Sequence, residues 1–415
     1  MDKFVITGGQ RLMGRVRAQG AKNAALPAFA ASLLTDKPVL LHRIPAISDV
    51  TTIIAMITAL GKRVDALGGG TFRIENGGRL KREAPYELVR CMRASFFVIG
   101  PLLARLGEAI IPLPGGCTIG SRPVDLHLKG LRVMGAEIEQ RQGIIHATAE
   151  RLQGRSIYLD YPSVGATEDL IMAATLAAGE TRISNPAGEP EVLDLIAMLQ
   201  KMGAQIELSD SEIRVAGVKE LTGAEHEIIP DRIEAGTYLL AAGITGGAVE
   251  VEGTITNHLT ALIAKLQEAG IELQIKDESI TASNEERSQA VDIETMPYPG
   301  FSTDLQAPMA AFLALARGKS MIKETVFESR FAYIAELIRL GADIQTIGRT
   351  ANITGVEHLN GTQVRAADIR AGAALILAGL AAEGETQIED AGHIDRGYTD
   401  IVNKLTALGA QIERR

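Results

Sequence analysis

One of the two cysteines lies in a segment rich in glycine and proline, PLPGGCTIGSRPVD, residues 112–125. These residues exclude regular secondary structure on both sides of Cys117 and predict a loop. Arg122, five residues further on, would lower the pKa of the thiol and favour the reactive thiolate. The other cysteine, Cys91, lies in the helical-looking stretch YELVRCMRAS and is predicted to take no part in chemistry. The pattern alone leaves open whether Cys117 reacts or merely packs.

Cations recur at the starts of apolar segments. The residues just before six such segments are GAKN (Lys22), RCMR (Arg93), SVGATED (Ser163), PDRIE (Arg232), STDLQ (Thr303, Asp304) and AADIR (Arg370). A helix start offers free N–H groups and a partial positive charge, so a cation placed there is unfavourable unless an anion binds. We therefore expect an anionic ligand, most naturally a phosphate. The alternative is that these cations are solvated surface charges.

The elements that position these residues repeat six times. The phrase apolar-x-x-apolar-Gly-Ala-x-Ile recurs with variations, and its glycines are Gly61, Gly135, Gly203, Gly270, Gly341 and Gly409. Each copy predicts the last turn of an amphipathic helix, a glycine after its end, and then an alternating strand. The spacing of 67 to 74 residues is too long for a simple solenoid.

Each repeat also contains an Ala-rich apolar helix, such as ATEDLIMAATLAA or AGAALILAGLAA, with a short strand after most of them. Helices that are apolar all round must be buried, so the repeats must pack against one another. Six repeats, with a polar stretch at 219–230, predict an α/β protein of two domains with three repeats each.

Composition excludes several classes of function. The chain of 415 residues has a formal charge of −9, which argues against non-specific binding of nucleic acid. Two cysteines cannot form a disulfide framework, and no spacing typical of a metal site occurs, so a reducing cytoplasm is expected and no metal. The first residues lack the apolar region of a signal peptide, and the longest uncharged run is too short for a membrane span.

Several motifs together resemble a known family. They are GAKNAALP, MRAS, LPGGCTIGSRPVDLH, SVGAT, PDRIE, TDLQ, TVFESRF and HIDRGY, and they cover essentially the whole chain in order. The sequence resembles the UDP-N-acetylglucosamine 1-carboxyvinyltransferases, enolpyruvyl transferases of bacterial peptidoglycan synthesis. The resemblance implies an inside-out α/β barrel of two domains with six βαβαββ-type repeats around buried helices. The expected domains are 22–229, and 1–21 with 230–415, and the active site would lie in the cleft between them.

The resemblance also implies the reaction. The enolpyruvyl group of phosphoenolpyruvate moves to the 3′-hydroxyl of UDP-N-acetylglucosamine through a tetrahedral intermediate, and phosphate leaves. No cofactor takes part. Cys117 would act as the acid or form a covalent phospholactoyl adduct, and would be alkylated by the epoxide fosfomycin. Asp304 would take the proton of the sugar hydroxyl, and it could also cap the following helix.

The remaining roles follow from the same motifs. Lys22, Arg122 and Arg396 would bind the phosphate of phosphoenolpyruvate, with Lys22 and Arg396 taking part in catalysis. Arg330 and Arg370 would serve the carboxylate and the charged intermediate, and Asn23 would bind the intermediate. The residues expected to hold the sugar nucleotide are Arg93, Arg122, Pro123, Val124, Asp125, Leu126, Tyr161, Pro162, Ser163, Val164, Asp304 and Val326. Glu189 and Asp231 would support hydrogen bonds of a closed state.

Three positions depart from the family pattern. Tyr161 and Pro162 stand where Lys-Val is usual, which puts a cationic contact to the uridine in doubt, and Ser302 replaces a common proline. The alternatives left open are a 3-phosphoshikimate 1-carboxyvinyltransferase, which lacks the cysteine loop, and a non-catalytic protein that binds sugar nucleotides. Neither nucleic acid nor membrane is an expected partner, and the sequence does not indicate an oligomeric state.

Overall fold

The computed structural model describes residues 2–113, 124–209 and 211–415. Cys117, Arg122 and Pro123 therefore lie outside the described residues. Within these ranges the helices are α1 (Lys22–Ala31), α2 (Ser48–Ala59), α3 (Tyr86–Val89), α4 (Ile99–Leu106), α5 (Asp125–Val133), α6 (Val164–Ala174), α7 (Pro190–Lys201), α8 (Arg232–Thr245), α9 (Thr260–Glu268), α10 (Gln306–Leu313), α11 (Ile334–Arg339), α12 (Ile369–Ala381) and α13 (Ile401–Ala407). Short 3₁₀ helices span Ser32–Leu34, Arg93–Val98, Thr256–Leu259, Thr303–Leu305 and Ala391–Arg396.

The strands are short and form six sheets. They are β1 (Lys3–Thr7), β2 (Met13–Arg17), β3 (Val39–His42), β4 (Lys62–Gly68), β5 (Thr71–Asn76), β6 (Glu108–Pro112), β7 (Glu137–Arg141), β8 (Ile144–Thr148), β9 (Ser156–Tyr158), β10 (Glu180–Ser184), β11 (Gln205–Leu208), β12 (Glu212–Ala216), β13 (Ala224–Glu227), β14 (Ala248–Glu252), β15 (Glu272–Ile275), β16 (Ser279–Ser283), β17 (Ile293–Glu294), β18 (Lys319–Lys323), β19 (Asp343–Ile347), β20 (Thr350–Thr354), β21 (Gln363–Arg365), β22 (Glu385–Glu389) and β23 (Gln411–Arg414).

The predicted sixfold repeat is confirmed by the order of the elements. The helices α1, α4, α6, α8, α10 and α12 are largely buried, and the strand that follows each of them pairs with an antiparallel neighbour. The helices α2, α5, α7, α9, α11 and α13 each end two residues before the repeated glycine. Five of these glycines have φ between 94° and 115°, and the sixth, Gly270, has φ of 89°. Side chains rarely adopt this left-handed conformation, which explains why glycine recurs there.

Five of the sheets share one strand order. In the sheet β11-β12-β10-β9, for example, β10 runs parallel to β9 and antiparallel to β12, which pairs in turn with β11. The sheet β6-β8-β7 has three strands, and a single parallel bridge from Glu83 to Ile110 stands where a fourth strand would lie. Each repeat is therefore a βαβαββ-type unit, as expected.

The described residues form two compact units. One, the 20–229 unit, contains α1 to α7, and its apolar core is built around α1, α4 and α6. The other, the 230–415 unit, also contains residues 2–19, and its core surrounds α8, α10 and α12. The N-terminal residues belong to it because β1 lies between β22 and β23, and β2 pairs with β14.

Close packing of the buried helices depends on small residues. A Cβ added to Gly100 in α4 would lie 2.5 Å from Oδ1 of Asp169 in α6, so these helices approach each other only because Gly100 has no side chain. Within the described ranges, no helix combines the length and the apolar character that crossing a bilayer requires.

Candidate active site

Asp304 is bound by two arginines in the 230–415 unit. It lies in the 3₁₀ turn Thr303–Leu305 that leads into the buried helix α10. Its Oδ1 accepts a hydrogen bond of 2.7 Å from Nη2 of Arg330, and its Oδ2 accepts one of 2.8 Å from Nη2 of Arg370. The prediction that Asp304 also caps α10 is wrong, because no side chain caps the start of that helix. Ser302 caps the turn instead, because its side chain accepts a hydrogen bond from the backbone N–H of Asp304.

The charge of Asp304 follows from these contacts. Burial opposes the charged form, but the guanidinium groups of Arg370 and Arg330 outweigh it and hold the pKa of Asp304 well below its usual value. The carboxylate is therefore ionised, and the three groups together carry a net charge of +1. Nη1 of Arg330 is buried and has no hydrogen-bond partner among the described residues. A second anion can be accommodated electrostatically by this cluster.

Local structure fixes both guanidinium groups. Arg370 is the second residue of α12, whose start is capped by Asp368 through hydrogen bonds from the N–H groups of Arg370 and Ala371. Its guanidinium lies 5.9 Å from the centre of the Tyr398 ring. Arg330, in the loop after β18, lies 5.3 Å from the centre of the Phe327 ring. Aromatic faces stabilise cations at such distances and orient them.

Lys22 occupies the equivalent place at the start of a buried helix in the 20–229 unit. It is the first residue of α1 and is 8% exposed, and its Nζ lies 2.5 Å from Oδ2 of Asp49 in α2. Asn23, the next residue, is exposed. Sequence reasoning missed Asp49, since no local pattern links it to a lysine that lies 27 positions earlier.

Residues expected to hold the sugar nucleotide come together at the starts of α5 and α6. Val124 precedes α5, whose first residues are Asp125 and Leu126. Ser163 caps α6 by accepting a hydrogen bond of 3.4 Å from the N–H of Ala166, and Val164 begins that helix. Tyr161 and Pro162 immediately precede the cap, and the Tyr161 side chain is exposed.

His127 and Lys129 join these two helix starts. Nδ1 of His127, on α5, lies 3.1 Å from Oδ2 of Asp169 on α6, and both side chains are buried. Lys129 donates a hydrogen bond of 2.5 Å to Asp160 in the segment before α6. Sequence reasoning assigned no role to His127, although it is the last residue of the motif LPGGCTIGSRPVDLH.

The other predicted residues are placed as follows. Arg93 begins the 3₁₀ helix Arg93–Val98, and Arg396 ends the 3₁₀ helix Ala391–Arg396; both are half-buried. Val326 follows β18, and its N–H donates to Glu324. Asp231 caps α8, Arg232 is the first residue of that helix, and Glu189 precedes α7. In the part of the chain that the structure describes, no three His, Cys, Asp or Glu residues are grouped to hold a metal ion.

Comparisons with known proteins agree with this architecture. The family model described as EPSP synthase (3-phosphoshikimate 1-carboxyvinyltransferase) matches residues 6–405. The enolpyruvyl transferase NikO from Streptomyces tendae superposes with a TM-score of 0.91 at 27% identity, covering 100% of this chain and 98% of that one. EPSP synthase from Acinetobacter baumannii has the same fold, with a TM-score of 0.77 at 18% identity and full coverage of both chains. The predicted fold class is confirmed.

Curated relatives are more similar in sequence. UDP-N-acetylglucosamine 1-carboxyvinyltransferase 2 from Carboxydothermus hydrogenoformans is 53% identical over 100% of this chain and 99% of its own length. UDP-N-acetylglucosamine 1-carboxyvinyltransferase 1 is 51% identical in Caldanaerobacter subterraneus and 50% identical in Staphylococcus aureus, with the same coverage. These relatives, together with the family model, confirm the family resemblance noted in the sequence. The chain belongs to the EPSP synthase family of enolpyruvyl transferases and, within it, to the UDP-N-acetylglucosamine 1-carboxyvinyltransferases.

Proposed function

We propose that the protein transfers the enolpyruvyl group of phosphoenolpyruvate to the 3′-hydroxyl of UDP-N-acetylglucosamine and releases phosphate. The observation that carries the proposal is the identity of 50–53% over the full length to curated relatives with that name. The cluster of Asp304, Arg330 and Arg370 supplies groups that the chemistry needs. Addition of the hydroxyl to C2 requires a base, and the anionic substrate requires cations.

Asp304 is the proposed base. Its carboxylate accepts the proton of the 3′-hydroxyl while the sugar oxygen forms a bond to C2 and C3 gains a proton. The resulting tetrahedral intermediate then loses phosphate from C2 and a proton from C3, which leaves the enolpyruvyl ether. Asp304 bound to two guanidinium groups is a weak base. Binding of the carboxylate of phosphoenolpyruvate to Arg330 and Arg370 would draw positive charge away from Asp304 and increase its basicity.

The phosphate group of phosphoenolpyruvate is assigned to Lys22, Arg122 and Arg396. Lys22 is paired with Asp49 in the structure, so the phosphate would compete with this carboxylate for the ammonium group. Phosphate binding by cations at helix starts agrees with the electrostatics of those starts. Asn23 would donate a hydrogen bond to the tetrahedral intermediate. The proposed domains are residues 22–229, and residues 1–21 together with 230–415.

The sugar nucleotide is assigned to the starts of α5 and α6. The proposed contacts are Arg93, Arg122, Pro123, Val124, Asp125, Leu126, Tyr161, Pro162, Ser163, Val164 and Val326, with Asp304 at the reacting hydroxyl. Contacts within the 20–229 unit support this grouping, since His127 and Lys129 hold the two helix starts together. The chain contains only two cysteines, as is usual for proteins of the reducing cytoplasm. Both proposed substrates are small anions, and the proposed location of the enzyme is the cytoplasm.

Cys117 is the proposed acid at C3, or the nucleophile whose sulfur adds to C2 as C3 is protonated, giving a phospholactoyl adduct. A thiolate would also open the epoxide of fosfomycin. We expect peptide mass mapping to find the adduct on Cys117 and none on Cys91, whose exposed thiol donates a hydrogen bond to the carbonyl oxygen of Glu87. Turnover of Cys117→Ala equal to that of the wild type would contradict either role.

A phosphate-release assay tests the function. We expect phosphate when UDP-N-acetylglucosamine and phosphoenolpyruvate are both present, and none when either is omitted. Shikimate 3-phosphate is the second acceptor to test, because the matching family model takes its description from that reaction. Release only with shikimate 3-phosphate would replace the proposed acceptor. Binding of the sugar nucleotide without release of phosphate would indicate a non-catalytic protein.

A further inference from the structure

Glu324 is a buried carboxylate directly after β18 and is 1% exposed. Its Oε1 accepts hydrogen bonds of 2.8 Å and 3.0 Å from the backbone N–H groups of Val326 and Phe327. Its Oε2 accepts a hydrogen bond of 2.9 Å from the hydroxyl of Thr303. One side chain therefore connects the loop after β18 to the turn that carries Asp304.

These contacts form a closed series of interactions that includes Asp304. Thr303 is its neighbour in the chain, and Glu324 joins Thr303 to Phe327. The ring of Phe327 faces the guanidinium of Arg330 at 5.3 Å, and Arg330 donates to Asp304 at 2.7 Å. If any residue in this series were displaced, the position of Asp304 relative to Arg330 would change as well.

Position 324 requires an acceptor for the two backbone N–H groups and a second polar atom that can hydrogen-bond to the hydroxyl of Thr303. Three donors converge there, and two of them are backbone groups that a small apolar side chain would leave unpaired. Glutamine meets the requirement in one orientation. Its carbonyl oxygen can accept from the two backbone N–H groups, while its NH₂ donates to the hydroxyl oxygen of Thr303.

We propose that Glu324 is a positioning residue for the transfer reaction, which holds the Asp304–Arg330 pair and Val326 in their reactive arrangement through Thr303 and Phe327. This role rests on the proposed function. Because Glu324 is 1% exposed, the proposed role requires no contact between its side chain and a substrate. Its effect arises because proton transfer from the sugar hydroxyl depends steeply on the place of the base.

Two pairs of variants test this role through the kinetics of phosphate release. Glu324→Ala and Thr303→Val remove the link, whereas Glu324→Gln and Thr303→Ser keep it. We expect kcat to fall about 100-fold in the first pair, as a displacement of about 1 Å in the base would cause, and to stay near the wild-type value in the second. The matched control is Glu294→Ala, since Glu294 is a half-exposed carboxylate paired with Lys323 at 2.8 Å.

A positioning role predicts a split between the kinetic constants. The KM for phosphoenolpyruvate should change far less than kcat in Glu324→Ala, because Arg330 and Arg370 remain. Wild-type kcat in Glu324→Ala or Thr303→Val would overturn the role, as would equal losses in Thr303→Ser and Thr303→Val. A loss of kcat that follows the melting temperature across all variants would assign Glu324 to stability alone. If the wild type released no phosphate, the proposed function would fail, and this role with it.

Discussion

Asp304 and Glu234 are two carboxylic acids at the starts of buried helices in the same unit, but their surroundings shift their pKa values in opposite directions. Asp304 is bound by the guanidinium groups of Arg330 and Arg370. Glu234, in the first turn of α8, accepts one hydrogen bond of 2.7 Å from the ammonium of Lys404 and another of 2.7 Å from the N–H of Gln19. Burial raises the pKa of Glu234 to about 7 against the opposing effect of Lys404.

The two carboxylates differ in the number of cations that contact them, which is one at Glu234 and two at Asp304. One ammonium does not offset the loss of hydration at Glu234, whereas two guanidinium groups more than offset it at Asp304. Glu234 has a structural role. Gln19, whose N–H it binds, also holds the segment after Arg396, donating to the carbonyl of Gly397 and accepting from the N–H of Thr399. The site with excess positive charge is the one suited to an anionic substrate.

Asp304→Asn should have the largest effect. The amide keeps the shape of the carboxylate but cannot accept the proton of the sugar hydroxyl, so we expect kcat to fall about 10³-fold to 10⁴-fold. Calorimetry should show that UDP-N-acetylglucosamine still binds. The control is Asp292→Asn, which changes an exposed carboxylate that accepts a hydrogen bond from the N–H of Met321. Activity above a tenth of the wild-type value would remove Asp304 as the base.

Arg370→Gln makes Asp304 resemble Glu234, because one cation remains beside the carboxylate. We expect kcat/KM for phosphoenolpyruvate to fall about 10-fold to 100-fold from the loss of a charged hydrogen bond. The pKa of Asp304 should rise, and since the base must be ionised, the acid limb of the pH profile should move to higher pH.

Arg365→Gln is the matched control for this substitution. Arg365 is a 70% exposed arginine of the same unit that is paired with Asp390. It should leave both the rate and the pH profile unchanged. An unaltered acid limb in Arg370→Gln would mean that Arg370 does not set the basicity of Asp304.

The regular part of the fold is predictable from the sequence because each signal occurs six times. A single glycine such as Gly341 is weak evidence for a helix end, but six of them at similar spacing, each beside an Ala-rich helix, predict a repeated unit. Long-range pairing has no such signal. β1 pairs with β22 across more than 370 residues, and nothing in the short run KFVIT specifies that partner.

The candidate site is predictable in its residue types and less so in its contacts. Cations at helix starts are visible in the sequence, but their carboxylate partners are not. Arg330 and Arg370 lie 26 and 66 positions from Asp304 and meet it only through packing of the repeats. Glu324 carries no sequence signal at all, because its function depends on a hydroxyl 21 positions away.

Glu234→Gln should have the smallest effect on turnover and a clear effect on stability. The wild-type side chain keeps its proton up to pH of about 7 when folded, against 4.5 for the ordinary carboxyl group. Its stabilising contribution is therefore complete below pH 4.5 and is lost as the pH rises through about 7. The glutamine does not titrate. Its free energy of unfolding, measured by urea denaturation, should rise relative to the wild type by on the order of 2 kcal/mol between pH 5 and pH 8.

A carboxylate with the opposite shift provides the control. Lys276 and Ser279 donate hydrogen bonds to Glu250 and lower its pKa, so its contribution is present at neutral pH and lost in acid. Glu250→Gln should therefore lose stability relative to the wild type as the pH rises, the reverse of Glu234→Gln. Parallel pH profiles for the wild type and Glu234→Gln would show that one ammonium suffices to keep a buried carboxylate charged. Glu234 and Asp304 would then both be charged, and the number of neighbouring cations would not distinguish them.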